Sequence, residues 1–180
     1  MIWNIDGGKS AIVFGVKHLM FSTVKGRFHK ISGMVDWDEE NPANSIIEAT
    51  VDTGSIQTDD KSRDKHLRSE DFFDVKHYPY MTFKSTKVKP LGHNKYRLIG
   101  NMTIKTVTKE VTFEVDYAGR KSNAFEGNFS AFRATAQINR KEFGLVWNAA
   151  IEAGGVAVGD QIKIELLINT ARESAVTVAA

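Results

Sequence analysis

The sequence predicts an all-β protein, an antiparallel barrel of about eight strands, and three observations carry that reading. Apolar residues recur at every second position over long stretches, not at the spacing of a helix face. Clusters of Gly, Asn, Asp and Pro separate these stretches. No helical segments alternate with them, so a parallel sheet has no crossovers to build on.

Taken in chain order, Ser10 to His18 sets Ile12, Phe14 and Val16 on one face. Val24 to Trp37 begins with Val24, Gly26 and Phe28, then shifts phase to Ile31 and later Val35 and Trp37. A bulge near His29–Ser32 accounts for such a slip. Asn44 to Asp52 offers Ile47, Ala49 and Val51, and Tyr80 to Val88 offers Met81 and Phe83. Lys95 to Ile104 alternates through Tyr96, Leu98, Gly100, Met102 and Ile104. The clearest run is Glu110 to Tyr117, with Val111, Phe113, Val115 and Tyr117 on the dry side and acids or Thr on the wet side. Phe125 to Ile138 carries Phe125 and Phe129 and changes phase around Phe132; Gln161 to Asn169 turns Ile162, Ile164, Leu166 and Ile168 inward.

One stretch breaks the alternation. Thr58 to Arg68 is dense in charge, with Thr58 or Asp59 as a fair N-cap and acid-before-base pairs at Asp59–Arg63 and Asp64–Arg68. The spacing predicts a short helix within the 59–71 insertion, closing one barrel end. Residues 1–172 are expected to form a single domain, with a frayed tail at 173–180.

Composition narrows the function. The chain has 180 residues and no cysteine, which excludes disulfides and thiolate metal sites. Lys+Arg number 24 against 22 Asp+Glu, for a formal charge of +2 spread along the sequence, which is no footprint for nucleic acid. No window supplies the roughly 18 apolar residues of a membrane-spanning helix. The first six residues carry neither a basic nor an apolar signal segment, so the expected location is the cytoplasm, or the periplasm for a trimmed mature form. A homodimer stays open.

Eleven phenylalanines dominate the candidate site. Those on different strands, interleaved with Gly26, Gly100, Ala49 and Gly127, either fill a core or line an apolar tunnel, because an eight-stranded barrel is just wide enough for one slender ligand. The acidic and histidine-bearing stretch 59–71 offers two alternatives. His66 and Glu70, four apart, could be metal ligands; the competing reading is a solvated helix laced by its own ion pairs. Ser22-Thr-Val-Lys25 and Ser62-Arg-Asp-Lys65 lack the companion motifs of serine–lysine enzymes. Asn101-Met-Thr and Asn128-Phe-Ser fall within expected strands. No cofactor motif occurs.

Several blocks together resemble the YceI-like family of bacterial lipid-binding proteins. They are Trp3-x-Ile5-Asp6 with Ser10-x-x-x-Phe14-x-Val16-x-His18, then Val24-x-Gly26-x-Phe28, Ser55-Ile56-x-Thr58 and Arg63-Asp64-x-His66-Leu67. Ser69-x-Asp71-Phe72-Phe73-Asp74, Tyr78-Pro79-x-x-x-Phe83 and Arg140-x-x-Phe143-Gly144-x-x-Trp147 complete the set. The resemblance spans nearly the whole chain. It departs at Lys9, where the family usually has His, and at Lys105-Thr-Val-Thr108, where a Gly is common. It implies an extended, lipocalin-like eight-stranded barrel that binds a polyisoprenoid, such as a polyprenyl quinone or polyprenyl phosphate. The function so implied is non-enzymatic transport or storage. The expected ligand-binding residues are Phe14, Val16, His18, Phe28, Phe83, Leu98, Met102, Phe113, Phe129, Phe143 and Trp147. His18, Arg27 and Arg140 are candidates for a polar mouth. Two other readings stand beside this one: an enzyme acting on a lipid through Asp64, His66 and Asp71, or a stress-response interaction module with a filled core.

Overall fold

The structure is a computed structural model that describes residues 2–123, 127–150 and 156–172. Its strands are β1 (Ile2–Ile5), β2 (Ala11–His18), β3 (Ser22–Phe28), β4 (Ile31–Asp36), β5 (Ile46–Asp52) and β6 (Ile56–Gln57). After helix α1 (Lys61–Arg68) come β7 (Tyr80–Gly92), β8 (Lys95–Ile104), β9 (Val107–Asn123), β10 (Gly127–Asn139) and β11 (Val158–Arg172). Every pairing is antiparallel. β1 pairs with both β4 and β11, which closes β1-β4-β5-β7-β8-β9-β10-β11 into an eight-stranded barrel.

β2, β3 and β6 prolong the lines of β1, β4 and β5 toward one end: β2 runs beside β11, β3 beside β2 and β6 beside β3. The break between β3 and β4 falls where the alternation slips. It is a corner between two strands, not a bulge within one. The amides of His29 and Lys30 leave the ladder and donate to the Ser55 hydroxyl at 3.1 and 3.2 Å. β1 and β6 were not expected, because runs of four and two residues carry too little periodicity to read.

True bulges occur elsewhere. A register shift between Ser130 and Phe132 puts the extra residue in β9, between Tyr117 and Arg120. β10 itself keeps one phase against β11, with Ser130, Phe132 and Ala134 on one face, so the phase change expected near Phe132 does not occur. A shift between Ser85 and Lys87 moves Val88 onto the inner face after Met81 and Phe83. The outer face carries cross-strand charge pairs, Lys95–Asp116 at 2.6 Å and Arg97–Glu114 at 2.9 Å among them. Being exposed, they specify register more than they add stability.

On the far side of β6 the insertion takes the place of a paired strand. α1 starts at Asp60, whose carboxylate accepts the Arg63 amide at 2.9 Å, so neither Thr58 nor Asp59 is the cap. The expected Asp59–Arg63 and Asp64–Arg68 pairs do not form. Buried Asp64 accepts from the Thr58 amide and hydroxyl at 2.8 and 2.5 Å, and Arg63 donates to the Thr58 hydroxyl and carbonyl. Arg68 donates to the carbonyls of Gly54 and Ile56. Backbone groups beside β6 outcompete a solvated carboxylate because their own hydrogen bonds would otherwise be lost on burial. Phe125, Gly154, Gly155 and the tail from residue 173 lie outside the described residues.

Candidate ligand-binding lumen

The barrel holds a cavity of about 230 Å³. That is room for on the order of fifteen waters, yet the walls turn no polar surface to the void. Tyr96 and Ile104, both lining it, stand roughly 26 Å apart along β8 at the usual rise per residue. The cavity is therefore long and narrow. Inward side chains such as Phe14, Met81, Leu98 and Leu166 stay only half-buried, since they face this void instead of one another.

Two glycines explain why the phenylalanines do not plug it. Phe14 and Gly26 are cross-strand partners, and a Cβ at Gly26 would overlap the Phe14 ring. A Cβ at Gly100 would overlap the Phe83 ring in the same way. Each ring lies down on a side-chain-free patch of wall, which keeps it off the barrel axis. The glycines are seats for the rings, not gaps beside them.

The end away from α1 has an aromatic floor. Trp37 meets Tyr96 edge-on at 4.9 Å, Phe132 at 5.4 Å and Tyr117 at 5.3 Å, and Tyr117 stacks on Phe132 at 4.8 Å. Beneath the floor the Tyr117 hydroxyl donates to Glu39 Oε1 at 2.9 Å. Burial, chiefly, pushes its pKa above the ordinary phenol value, so the group stays neutral.

The α1 end is covered by the insertion. Leu67, Phe72 and Phe73 line the cavity there, and Phe73 meets Phe28 edge-on at 5.7 Å. Outside them His66, Phe72 and Trp147 pack together, with His66 4.5 Å from Trp147. Lys105 closes the β8–β9 turn with φ 54° and donates from Nζ to the Phe72 carbonyl at 3.0 Å, so the turn holds the cover down.

Of the expected site residues, Phe14, Val16, Phe28, Phe83, Leu98, Met102 and Phe113 line the cavity. Four do not. Phe129 lies on the outer face of β10, whose unbroken register with β11 sets Ser130, Phe132 and Ala134 on the opposite, inner face. Phe143 is fully buried beside Ile104, Val111 and Leu145. Trp147 belongs to the outer cover, and His18 sits at the base of the β2–β3 hairpin opposite Ser22. Leu67, Phe72, Phe73 and Leu145 are lining residues that alternation could not find; their signal is an apolar residue inside a charged or turn-rich stretch.

The mouth candidates divide. Arg27 faces outward, opposite Val13 and Gln57. Arg140 does reach the cavity, but its guanidinium donates to the carbonyls of Gly159, Leu145, Trp147 and Val158 at 2.8, 2.5, 3.0 and 3.3 Å. It ties the 140–158 segment to β11 and keeps no donor aimed at a ligand. Burial lowers its pKa, partly offset by Asp160.

Asp64, His66 and Asp71 are not among the residues that line the cavity. Asp64 is held by Thr58, while His66 bonds Asp71 at 2.7 Å on the outer surface. Among the described residues no cluster of three or more His, Asp or Glu could hold a metal ion. Among the described residues no helix is long and apolar enough to cross a membrane.

This geometry has relatives. A UPF0312 protein of Staphylococcus aureus strain USA300 is 35% identical over 164 residues, covering 91% of this chain and 93% of that one. Burkholderia cenocepacia BcnA, a crystal structure, superposes with a TM-score of 0.80 at 27% identity, over 92% of this chain and 98% of its own. A polyisoprenoid binding domain from Saccharophagus degradans shares the fold at a TM-score of 0.69 and 12% identity, over 95% and 98% of the two chains. The model of the YceI-like domain matches residues 3–170, and the chain therefore belongs to the YceI-like family.

Proposed function

We propose that the protein binds an isoprenoid lipid in the barrel lumen and carries or stores it without chemical change. The observation that carries this reading is a long cavity whose walls turn no polar atom to the void, floored by Trp37 and kept open by rings seated on Gly26 and Gly100. A prenyl tail gains about 0.8 kcal/mol per buried CH₂-sized unit before ordering costs, whereas water has no partner in such a lumen. The tail tip would rest on the Trp37 floor, leaving a head group at the α1 end. The polyisoprenoid binding domain of Saccharophagus degradans shares the barrel, which is consistent with this ligand class. The enzyme reading has less support, because Asp64, His66 and Asp71 lie outside the lumen lining.

The test is native mass spectrometry and solvent extraction of protein purified from its own cells, followed by reconstitution with a polyprenyl quinone. The expected result is one prenyl lipid per chain, lost in Phe113→Arg and retained in Phe113→Tyr. Absence of lipid from native material together with failed reconstitution rejects the proposal.

A further inference from the structure

At the α1 end the β2–β3 hairpin carries an exposed apolar tip. Leu19, Met20 and Phe21 are 45%, 56% and 89% exposed. Val156 and Val146, at 48% and 61%, extend this patch along the same rim. The Leu19 amide donates to the Ala157 carbonyl at 2.8 Å, and Arg140 joins the 145–147 and 158–159 segments. Leu19 and Met20 also adopt left-handed backbone, with φ 50° and 66°. Gly or Asn fits those turn positions at little steric cost, whereas bulky side chains are outliers there. Two large apolar residues thus occupy strained positions with about half of their surface left exposed.

Beneath the tip, the outer wall is basic. Gly15 on β2 lies between Lys163 of β11 and Lys25 of β3, and Lys17 and Arg27 share that face. All four cations are exposed, and none forms an ion pair with another described residue. The nearby acids have other partners: Glu165 pairs with Arg133 and Asp160 with Lys141.

We propose that the hairpin is a membrane-docking anchor: Leu19, Met20 and Phe21 enter the interface of an anionic bilayer while Lys17, Lys25, Arg27 and Lys163 contact its head groups. Apolar groups beyond a collar of cations match the layering of such a surface. A second copy of the chain is a poorer occupant, since a two-fold contact sets this patch against itself and brings cation to cation. The anchor is also continuous with the lumen. Val16, on the inner side of β2, and Val158 and Ile162, on β11, line the cavity at this end. Docking would set the α1 end of the barrel, where the head group is proposed to lie, against the membrane that holds the lipid. The proposal deepens the lipid-carrier reading, but docking is tested on its own with lipid-free protein.

The experiment is co-sedimentation of the full, delipidated chain with vesicles of phosphatidylcholine alone or mixed with phosphatidylglycerol. The expected result is binding to the mixed vesicles that weakens as salt rises. Phe21→Ser should lower partitioning by roughly tenfold or more, and each of Lys17→Gln and Lys25→Gln by about fivefold. These residues are exposed, so circular dichroism and the lipid content of native-source protein should be unchanged. Wild-type protein that ignores the mixed vesicles, or Phe21→Ser that binds as tightly as wild type, overturns the anchor. So does a salt-insensitive self-association that Phe21→Ser abolishes. Loss of docking with prenyl lipid still retained would leave the lumen reading standing; docking without any lumen lipid would do the reverse.

Discussion

The phenyl ring of Phe14 lies over Gly26, its cross-strand partner, in the space a side chain at residue 26 would occupy. Phe83 uses Gly100 in the same way. A barrel rich in inward phenylalanine thus retains a void, because two of its largest side chains lie along the wall instead of crossing it.

Gly26→Val should push the Phe14 ring toward the axis. We expect a stability loss of about 1–3 kcal/mol from overpacking, together with loss of bound lipid. Urea unfolding reads the first and native mass spectrometry the second. Wild-type lipid content in a folded Gly26→Val protein would mean that the seated ring does not bound the lumen.

Met102→Arg places an unpaired cation in the wall, opposite no acid on the inner face. Burial of a charge without a partner costs about 3–5 kcal/mol, and each kcal/mol lowers Tm by roughly 2–4 °C in a domain this size. Met102→Leu, close in volume, should cost under about 1.5 kcal/mol and keep the ligand. Calorimetry of both variants separates charge from shape.

Trp37→Ala removes the floor. The truncation should cost about 3–5 kcal/mol and lengthen the cavity toward the Tyr117 end. If the protein still folds, competition between short and long polyprenyl quinones should shift toward the longer chain. An unchanged preference would place the limit on tail length elsewhere.

Tyr117 gives a prediction at alkaline pH. Its folded pKa lies above the ordinary value near 10, mainly through burial, so the neutral phenol is favoured more in the folded than in the unfolded chain. That contribution is fully present below the unfolded pKa and is lost as pH rises through the folded one. Wild type should therefore lose stability above about pH 10 more steeply than Tyr117→Phe, which has no phenol to ionise. Urea midpoints for both proteins on either side of that pH test it; parallel curves would contradict it.

Alternation by itself determined the class of fold, the inward faces of seven of the longer strands and most of the lumen lining. A period of two assigns each side chain to a side of the sheet, whatever the strand pairs with. Phe113, Met102 and Leu98 were legible for that reason. The phase change expected near Phe132 does not occur: β10 holds one register against β11, which turns Ser130, Phe132 and Ala134 in and Phe129 out, and the irregularity there belongs to β9. The helical character of the insertion was readable from its charge, yet its capping residue and ion pairs were not, because buried backbone carbonyls compete for the same arginines. Only the tertiary structure decided whether the barrel is filled or hollow. Sequence places Phe14 and Gly26 on one face, but ring orientation depends on which strands become neighbours, and register fixes that through contacts distant in the chain. The void along the axis is set by that pairing.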